Sequence, residues 1–205
     1  MVSMIHKIGL TGGIGAGKSE VARLLRGKGL VVVDLDDVGR KISLQPEIIR
    51  DINTLCGLSG ENLDRAKVRN ILFSDEKIRK AVEARLHPVI LQEFETEVAG
   101  AKEEGHRLIF CEAALLVESG YHKHLDELIV VTAPESQRRQ RLISRDHIDV
   151  EMAEKIIKAQ TSDETRLKVA THVLKNDSTL EALSESVDDL LEGWRTEKGS
   201  IYLQY

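Results

Sequence analysis

The chain has 205 residues, 29 Lys+Arg against 34 Asp+Glu, a formal net charge of −5, and 41% hydrophobic residues. That length lies near the top of the one-domain range, so one compact core with a satellite lobe is expected. The balance of apolar and charged residues excludes a disordered chain, and the slightly acidic charge excludes a nucleic acid partner held by bulk charge.

No run of about 18 apolar residues occurs, so no membrane-spanning segment is expected. Met1 to Leu10 has no long apolar stretch or cleavage site, so no secretory signal is expected. Cys56 and Cys111 fit no metal-ligand spacing and read as reduced thiols of a cytoplasmic protein. No internal repeat or low-complexity linker interrupts the chain.

Strands and helices alternate. Lys7 to Leu10 is a short apolar strand followed by a glycine-rich turn, and Ser19 to Lys28 carries Val21, Ala22, Leu24 and Leu25 at helical spacing. Leu30 to Val33 is an apolar run closing on Asp34, as suits a parallel strand buried on both faces. Further strands are expected at Arg107 to Cys111, Glu127 to Thr132 and His172 to Leu174. The alternation implies a parallel sheet covered by helices, with ligands at the carboxyl ends of the strands. The span between the second and third strands far exceeds a simple crossover. It reads as an inserted helical lobe from Val38 to Gly105, with Pro88 dividing two of its helices. Pro134 to Arg166 is a second, charged helical insertion.

Gly12-Gly13-Ile14-Gly15-Ala16-Gly17-Lys18-Ser19 fits G-x-x-x-x-G-K-[ST] between a strand and a helix, the context that motif requires. Glycines let successive backbone N–H groups face an anion, and the following helix adds its dipole. Lys18 would reach the β- and γ-phosphates, and the Ser19 hydroxyl would ligate Mg²⁺. By composition alone such a pattern arises on the order of 0.01 times in a chain of this size. The dinucleotide fingerprint is excluded because Lys18 stands where its last glycine belongs. This is a nucleoside triphosphate site.

A kinase, a GTPase switch and a non-enzymatic nucleotide-binding module all remain in play. Asp36-Asp37-Val38-Gly39 can be read as a D-x-x-G switch, but it follows Ser19 too closely to leave room for a first switch loop. No guanine-reading N-K-x-D occurs; Lys175-Asn176-Asp177 is the nearest approach. A kinase needs a strand-end carboxylate beside the phosphate loop to orient or deprotonate the acceptor hydroxyl. Asp34 and Asp36 close the second strand, whose end is expected to neighbour that loop. Period-two alternation places them on one side, with Asp36 as the base, although one of the acids can instead cap the next helix. Arg138, Arg141 and Arg145 share one helical face and Arg139 lies opposite. Alone they would be a solvated face, but beside a triphosphate they suit a lid that covers the phosphates.

Over nearly its whole length the chain resembles the dephospho-coenzyme A kinases. The resemblance is carried by Ile8 to Ser19, by Val33-Asp34-Leu35-Asp36, and by Leu63-Asp64-Arg65 with Phe73. It continues through Leu86-His87-Pro88, Ala114-Leu115-Leu116-Val117-Glu118, Arg141 with Arg145-Asp146, Gln160, and Val173 to Asp177. It implies a five-stranded α/β core of the P-loop nucleotide-kinase type (1–37, 106–133 and 167–205), a helical acceptor domain (38–105) and a helical lid (134–166). The implied reaction is ATP- and Mg²⁺-dependent phosphorylation of the ribose 3′-hydroxyl of dephospho-coenzyme A, the last step of coenzyme A synthesis. Another small-molecule nucleoside or nucleotide kinase is the alternative.

In the roles the resemblance implies, Asp36, Lys18, Arg141 and Arg145 carry the chemistry, while Gly12 to Ser19, Glu20 and Asn176 contact the nucleotide. Asp34, Arg65, His87 and Glu118 contact the acceptor. A monomer or weak homo-oligomer without membrane or nucleic acid partners is expected. Three residues depart from the family pattern: Glu20 where threonine is usual, Glu112 for aspartate, and Ala114 for proline. Glu112 ends the third strand and suits either a water-mediated role at Mg²⁺ or a buried salt bridge.

Overall fold

A computed structural model describes residues 5–197. The elements run β1 (His6–Gly12), α1 (Lys18–Gly27), β2 (Val31–Asp34), α2 (Leu35–Ile42), α3 (Pro46–Leu55), α4 (Arg65–Ser74) and α5 (Glu76–Glu103). They continue with β3 (Leu108–Glu112), a 3₁₀ turn at Tyr121–His124, β4 (Glu127–Thr132), α6 (Glu135–Asp146), α7 (Val150–Lys158), α8 (Asp163–Leu167), β5 (His172–Lys175) and α9 (Leu180–Glu197). The chain divides into two compact units: Asp34–Glu97, and the described residues before and after it.

The larger unit is built on a five-stranded sheet ordered β2-β3-β1-β4-β5. β1 pairs in parallel with β3 and β4, and β4 with β5. The central strands β3 and β4 are buried on both faces, which is why they read as apolar runs, whereas in the edge strand β5 only Leu174 is buried. Ile8, Leu10, Phe110, Ile129 and Val131 face Val21, Ala22 and Leu25 of α1 and Leu183, Val187 and Trp194 of α9. On the other face Ile109, Cys111, Leu128 and Val130 are also buried. Burial pushes the Cys111 thiol up to about 12, and both cysteines are free.

The sheet order corrects one expectation. β3, not β2, lies beside β1, with Leu10 opposite Glu112. The strand end nearest the glycine loop therefore carries Glu112. Strand order depends on long-range pairing, and chain order alone does not reveal it.

The smaller unit is helical, around Ile42, Ile48, Ile52, Cys56, Val68 and Val82. Two of its helix starts follow from aspartate caps. Asp34 Oδ1 accepts from Asp37 N at 2.9 Å, and Asp64 Oδ1 accepts from Lys67 N at 3.1 Å. The first cap ends β2 at Asp34 and puts Asp36 and Asp37 in the first turn of α2. Strand alternation therefore does not govern these acids, because α2 already begins at Leu35 and the pattern needs extended backbone through Asp36. The division at Pro88 is also corrected: α5 runs through it for 28 residues. Pro88 removes one backbone hydrogen bond. Val82, Leu86, Val89 and Ile90 flank it on a face packed into the helical core, and that packing holds the helix together.

Candidate active site

The loop after β1 owes its shape to two left-handed glycines, Gly15 (φ 76°) and Gly17 (φ 100°). Gly17 is also the N-cap of α1, so Lys18 opens the helix and the loop amides gather at its positive end. Three of the loop carbonyls are bound by side chains from elsewhere in the chain. Arg138 Nε donates to Ile14 O at 2.9 Å, and Arg141 Nη1 donates to Gly15 O at 3.1 Å. Asn176 Nδ2 donates to Ala16 O at 2.8 Å. Three consecutive carbonyls are thus held by donors from α6 and the segment after β5. An anion at the loop would be met by amides other than Ile14 N, which donates to Gln160, and Ala16 N, which donates to Gly13 O.

Gln160 Oε1 accepts from Ile14 N at 2.7 Å. The Ile14 side chain packs with Leu142, Ala153 and Ile157 of α6 and α7. The tip of the loop is therefore seated on residues 138–160.

Lys18 Nζ lies 2.7 Å from Glu112 Oε1, and Arg26 Nη2 is 3.6 Å from Glu112 Oε2. The Glu112 side chain is 2% exposed. Of the two roles read for Glu112, the geometry here is that of the buried salt bridge. Ser19 lies exposed in the first turn of α1. Glu20 pairs with Arg23, whose hydrogen bond holds the Glu20 carboxyl below its usual range.

The arginines of α6 differ sharply. Arg138 is buried, and Arg141 is half-buried against the loop and the Asn176 carbonyl. Arg145 is exposed, donating to both Asp146 oxygens at 2.7 and 2.9 Å. Arg139 binds Glu154 of α7 at 2.8 Å. Glu118, expected at the acceptor, accepts from fully buried Arg166 at 2.5 Å.

In the helical unit, Arg65 opens α4 and lines a cleft of about 500 Å³ with Arg69, Val68, Leu72, Phe73 and Leu86. His87 is half-buried on α5. Asp34 is half-buried as a cap, and Asp36 is exposed.

From the sequence Arg138 is grouped with the lid arginines but given no role of its own, and Asp163 and Arg166 are not placed at the site. The one available signal was the spacing that puts Arg138 on the face of Arg141.

A parallel sheet in this order, with an anion-cradling glycine loop between β1 and α1, is the architecture of a P-loop kinase. A family model described as dephospho-CoA kinase matches residues 6–182, and the chain belongs to that family. The dephospho-CoA kinase of Fusobacterium nucleatum is 38% identical over 189 residues, 90% of this chain and 96% of that one. The dephospho-CoA kinase of Deinococcus radiodurans is 36% identical over 188 residues, 91% of each chain. A crystal structure of a Thermus thermophilus protein superposes with a TM-score of 0.82 at 32% identity, covering 92% of this chain and 97% of that one. Dephospho-CoA kinase from Campylobacter jejuni shares the fold, with a TM-score of 0.69 at 22% identity over 95% of this chain and 98% of that one.

Proposed function

We propose that the chain transfers the γ-phosphoryl group of ATP to the ribose 3′-hydroxyl of dephospho-coenzyme A. The observation that carries this is the loop at Gly12–Ser19, its carbonyls at Ile14, Gly15 and Ala16 held by side-chain donors, in a chain matched to the family over residues 6–182. Lys18 and the loop amides hold the donor phosphates and meet the charge that develops on them in transfer. Asp36 takes or orients the hydroxyl proton, and Arg141 and Arg145 neutralise phosphate charge.

Mg²⁺ fits the donor chemistry here. Ser19 offers an exposed hydroxyl oxygen, and among the described residues no cluster of His, Cys, Asp or Glu forms a protein cage for a metal. A single protein oxygen beside a triphosphate suits an ion that keeps water and phosphate oxygens as its other ligands. When bound with ATP it would supply charge neutralisation at the β- and γ-oxygens.

The cleft beside Arg65 supports the acceptor reading. Its walls combine apolar Val68, Leu72, Phe73 and Leu86 with Arg65 and Arg69. That combination suits a ligand joining a diphosphate to an uncharged arm. Glu118 is spent on Arg166, so its contribution to the acceptor would be to shape the wall rather than to touch the ligand. We place the enzyme in the cytoplasm as a monomer or weak homo-oligomer.

The test is an acceptor panel: ATP with dephospho-coenzyme A, adenylate, cytidylate or shikimate, following ADP release. A kcat/KM for dephospho-coenzyme A higher by on the order of 10² or more is expected. Preference for another acceptor would establish a related nucleotide or small-molecule kinase. No turnover with any would leave a nucleotide-binding module.

The exposed arginine gives a second test, with an internal control. Arg145→Ala should lower the single-turnover rate at least about tenfold, or 1.4 kcal/mol of transition-state stabilisation. Arg139→Ala removes the same charge and should stay near wild type in rate. The lost Glu154 pair, partly exposed, is worth at most about 1 kcal/mol of stability. Equal rates for the two variants would remove Arg145 from the mechanism.

A further inference from the structure

We propose that Arg138 is a positioning residue for the donor loop, the end of a chain of ion pairs between two buried arginines and two partly exposed carboxylates that sets the loop's shape from α8. The chain is continuous. Arg138 Nε holds Ile14 O at 2.9 Å, and Nη1 donates to Asp163 Oδ2 at 2.9 Å. Arg166 Nη1 donates to the other oxygen, Asp163 Oδ1, at 3.2 Å, and to Thr161 O at 2.6 Å. Arg166 Nη2 donates to Glu118 Oε1 at 2.5 Å. The Arg138 side chain is 7% exposed and that of Arg166 is 0%.

Two features make this a device for geometry rather than for charge. First, two guanidinium groups alternate with two carboxylates, so the chain is formally neutral and adds little field at the phosphates. Second, Arg138 Nε is spent on a loop carbonyl, Ile14 O, and Nη1 on Asp163. Its effect on a bound phosphate therefore passes through the position of the backbone.

Gly13 records how close the approach is. A Cβ there would lie 2.3 Å from Arg138 Nη2, 2.6 Å from Cζ and 3.0 Å from Nη1. These three guanidinium atoms are its nearest neighbours, and Gly13 is not among the residues with left-handed backbone. Glycine is needed at 13 for the arginine, not for the turn. The arginine's fork is needed too, because one side chain must reach Ile14 O and Asp163 at once. Lysine carries the charge but not the planar fork.

The inference rests on the donor reading of the loop but not on the acceptor, so the readout is ADP affinity by calorimetry with Mg²⁺ and no acceptor. Arg138→Ala and Arg138→Lys should both weaken ADP about tenfold, the scale of one charge-assisted hydrogen bond. A bare electrostatic role would let lysine rescue. Because Arg138 is buried, Asp163→Asn, at a partly exposed site, is measured in parallel and should weaken ADP in the same direction.

The decisive arm is a double-mutant cycle. Gly13→Ala should weaken ADP about tenfold with Arg138 present, since the methyl displaces the guanidinium, and add little in the Arg138→Ala background. Additive losses, lysine rescue, or unchanged ADP affinity in both Arg138→Ala and Asp163→Asn would each overturn the clamp. Absence of ADP binding by the wild type would overturn the donor reading, and the clamp with it.

Discussion

Lys18→Ala should lower kcat/KM for ATP by about 10²–10³-fold or more, because the ammonium meets charge that grows on the phosphates during transfer. It should also destabilise the fold, which a free loop cation would not do. Glu112 is buried and sits 2.7 Å from Lys18 Nζ, and after the substitution its nearest remaining cation is Arg26 at 3.6 Å. Breaking a buried pair from one side costs about 3–5 kcal/mol, and Arg26 offsets part of that. A loss of about 3 kcal/mol corresponds to a fall in Tm of roughly 6–12 °C for a chain of this size.

The two losses are separable. Glu112→Gln in the Lys18→Ala background removes the stranded charge, so Tm should recover while turnover stays low. Thermal melts without nucleotide and initial rates with saturating acceptor are the measurements. More than about a tenth of wild-type turnover in Lys18→Ala would be incompatible with the phosphate role. Failure of Tm to recover in the double variant would mean that the Glu112 pair is not what holds this corner of the sheet.

What could be read from the sequence was what is local or periodic. The central strands were legible because burial on both faces writes each as a short apolar run, as at Leu128 to Val131, whereas in the edge strand β5 only Leu174 is buried. The glycine loop was legible because its turn chemistry and Lys18-Ser19 lie within eight consecutive residues. The pairing of Lys18 with Glu112 was not, since it depends on β3 inserting beside β1 across 94 positions. Spacing grouped Arg138, Arg141 and Arg145 correctly on one face of α6. It could not tell that Arg138 is buried against the loop while Arg145 is in solvent. Asp34 shows the same limit at short range. Its side chain caps α2, and the pattern of three acids fits a strand end or a helix start equally well until the backbone is known.

Asp36→Asn should leave ADP affinity intact while kcat falls about 10²–10⁴-fold, the usual cost of removing a general base. Asparagine keeps the size and part of the hydrogen bonding, so what is lost is the negative charge and with it the capacity to accept a proton. Asp36 is exposed in the first turn of α2, where a carboxylate also favours the helix dipole by about 0.3–1 kcal/mol. That sets the size of the stability change to expect, and it is too small to explain a lost reaction.

Its two neighbours are controls of different kinds. Asp37 is held by Lys41 at 2.9 Å and Arg40 at 3.1 Å, which keep its carboxyl below the usual range. Its charge serves the helix surface, and Asp37→Asn should remain near wild type in rate. Asp34 accepts from Asp37 N, so Asp34→Ala should cost about 1 kcal/mol as a lost cap. Asp34→Asn preserves the cap and isolates any contact with the acceptor. The pH profile supplies the last distinction. In the wild type kcat should fall on the acid side as the base protonates, and Asp36→Asn should flatten that limb because no carboxylate remains to titrate. Single-turnover rates across pH, with both substrates saturating, measure it. Equal losses at Asp36 and Asp37, or an acid limb that survives in Asp36→Asn, would assign the proton transfer to another group.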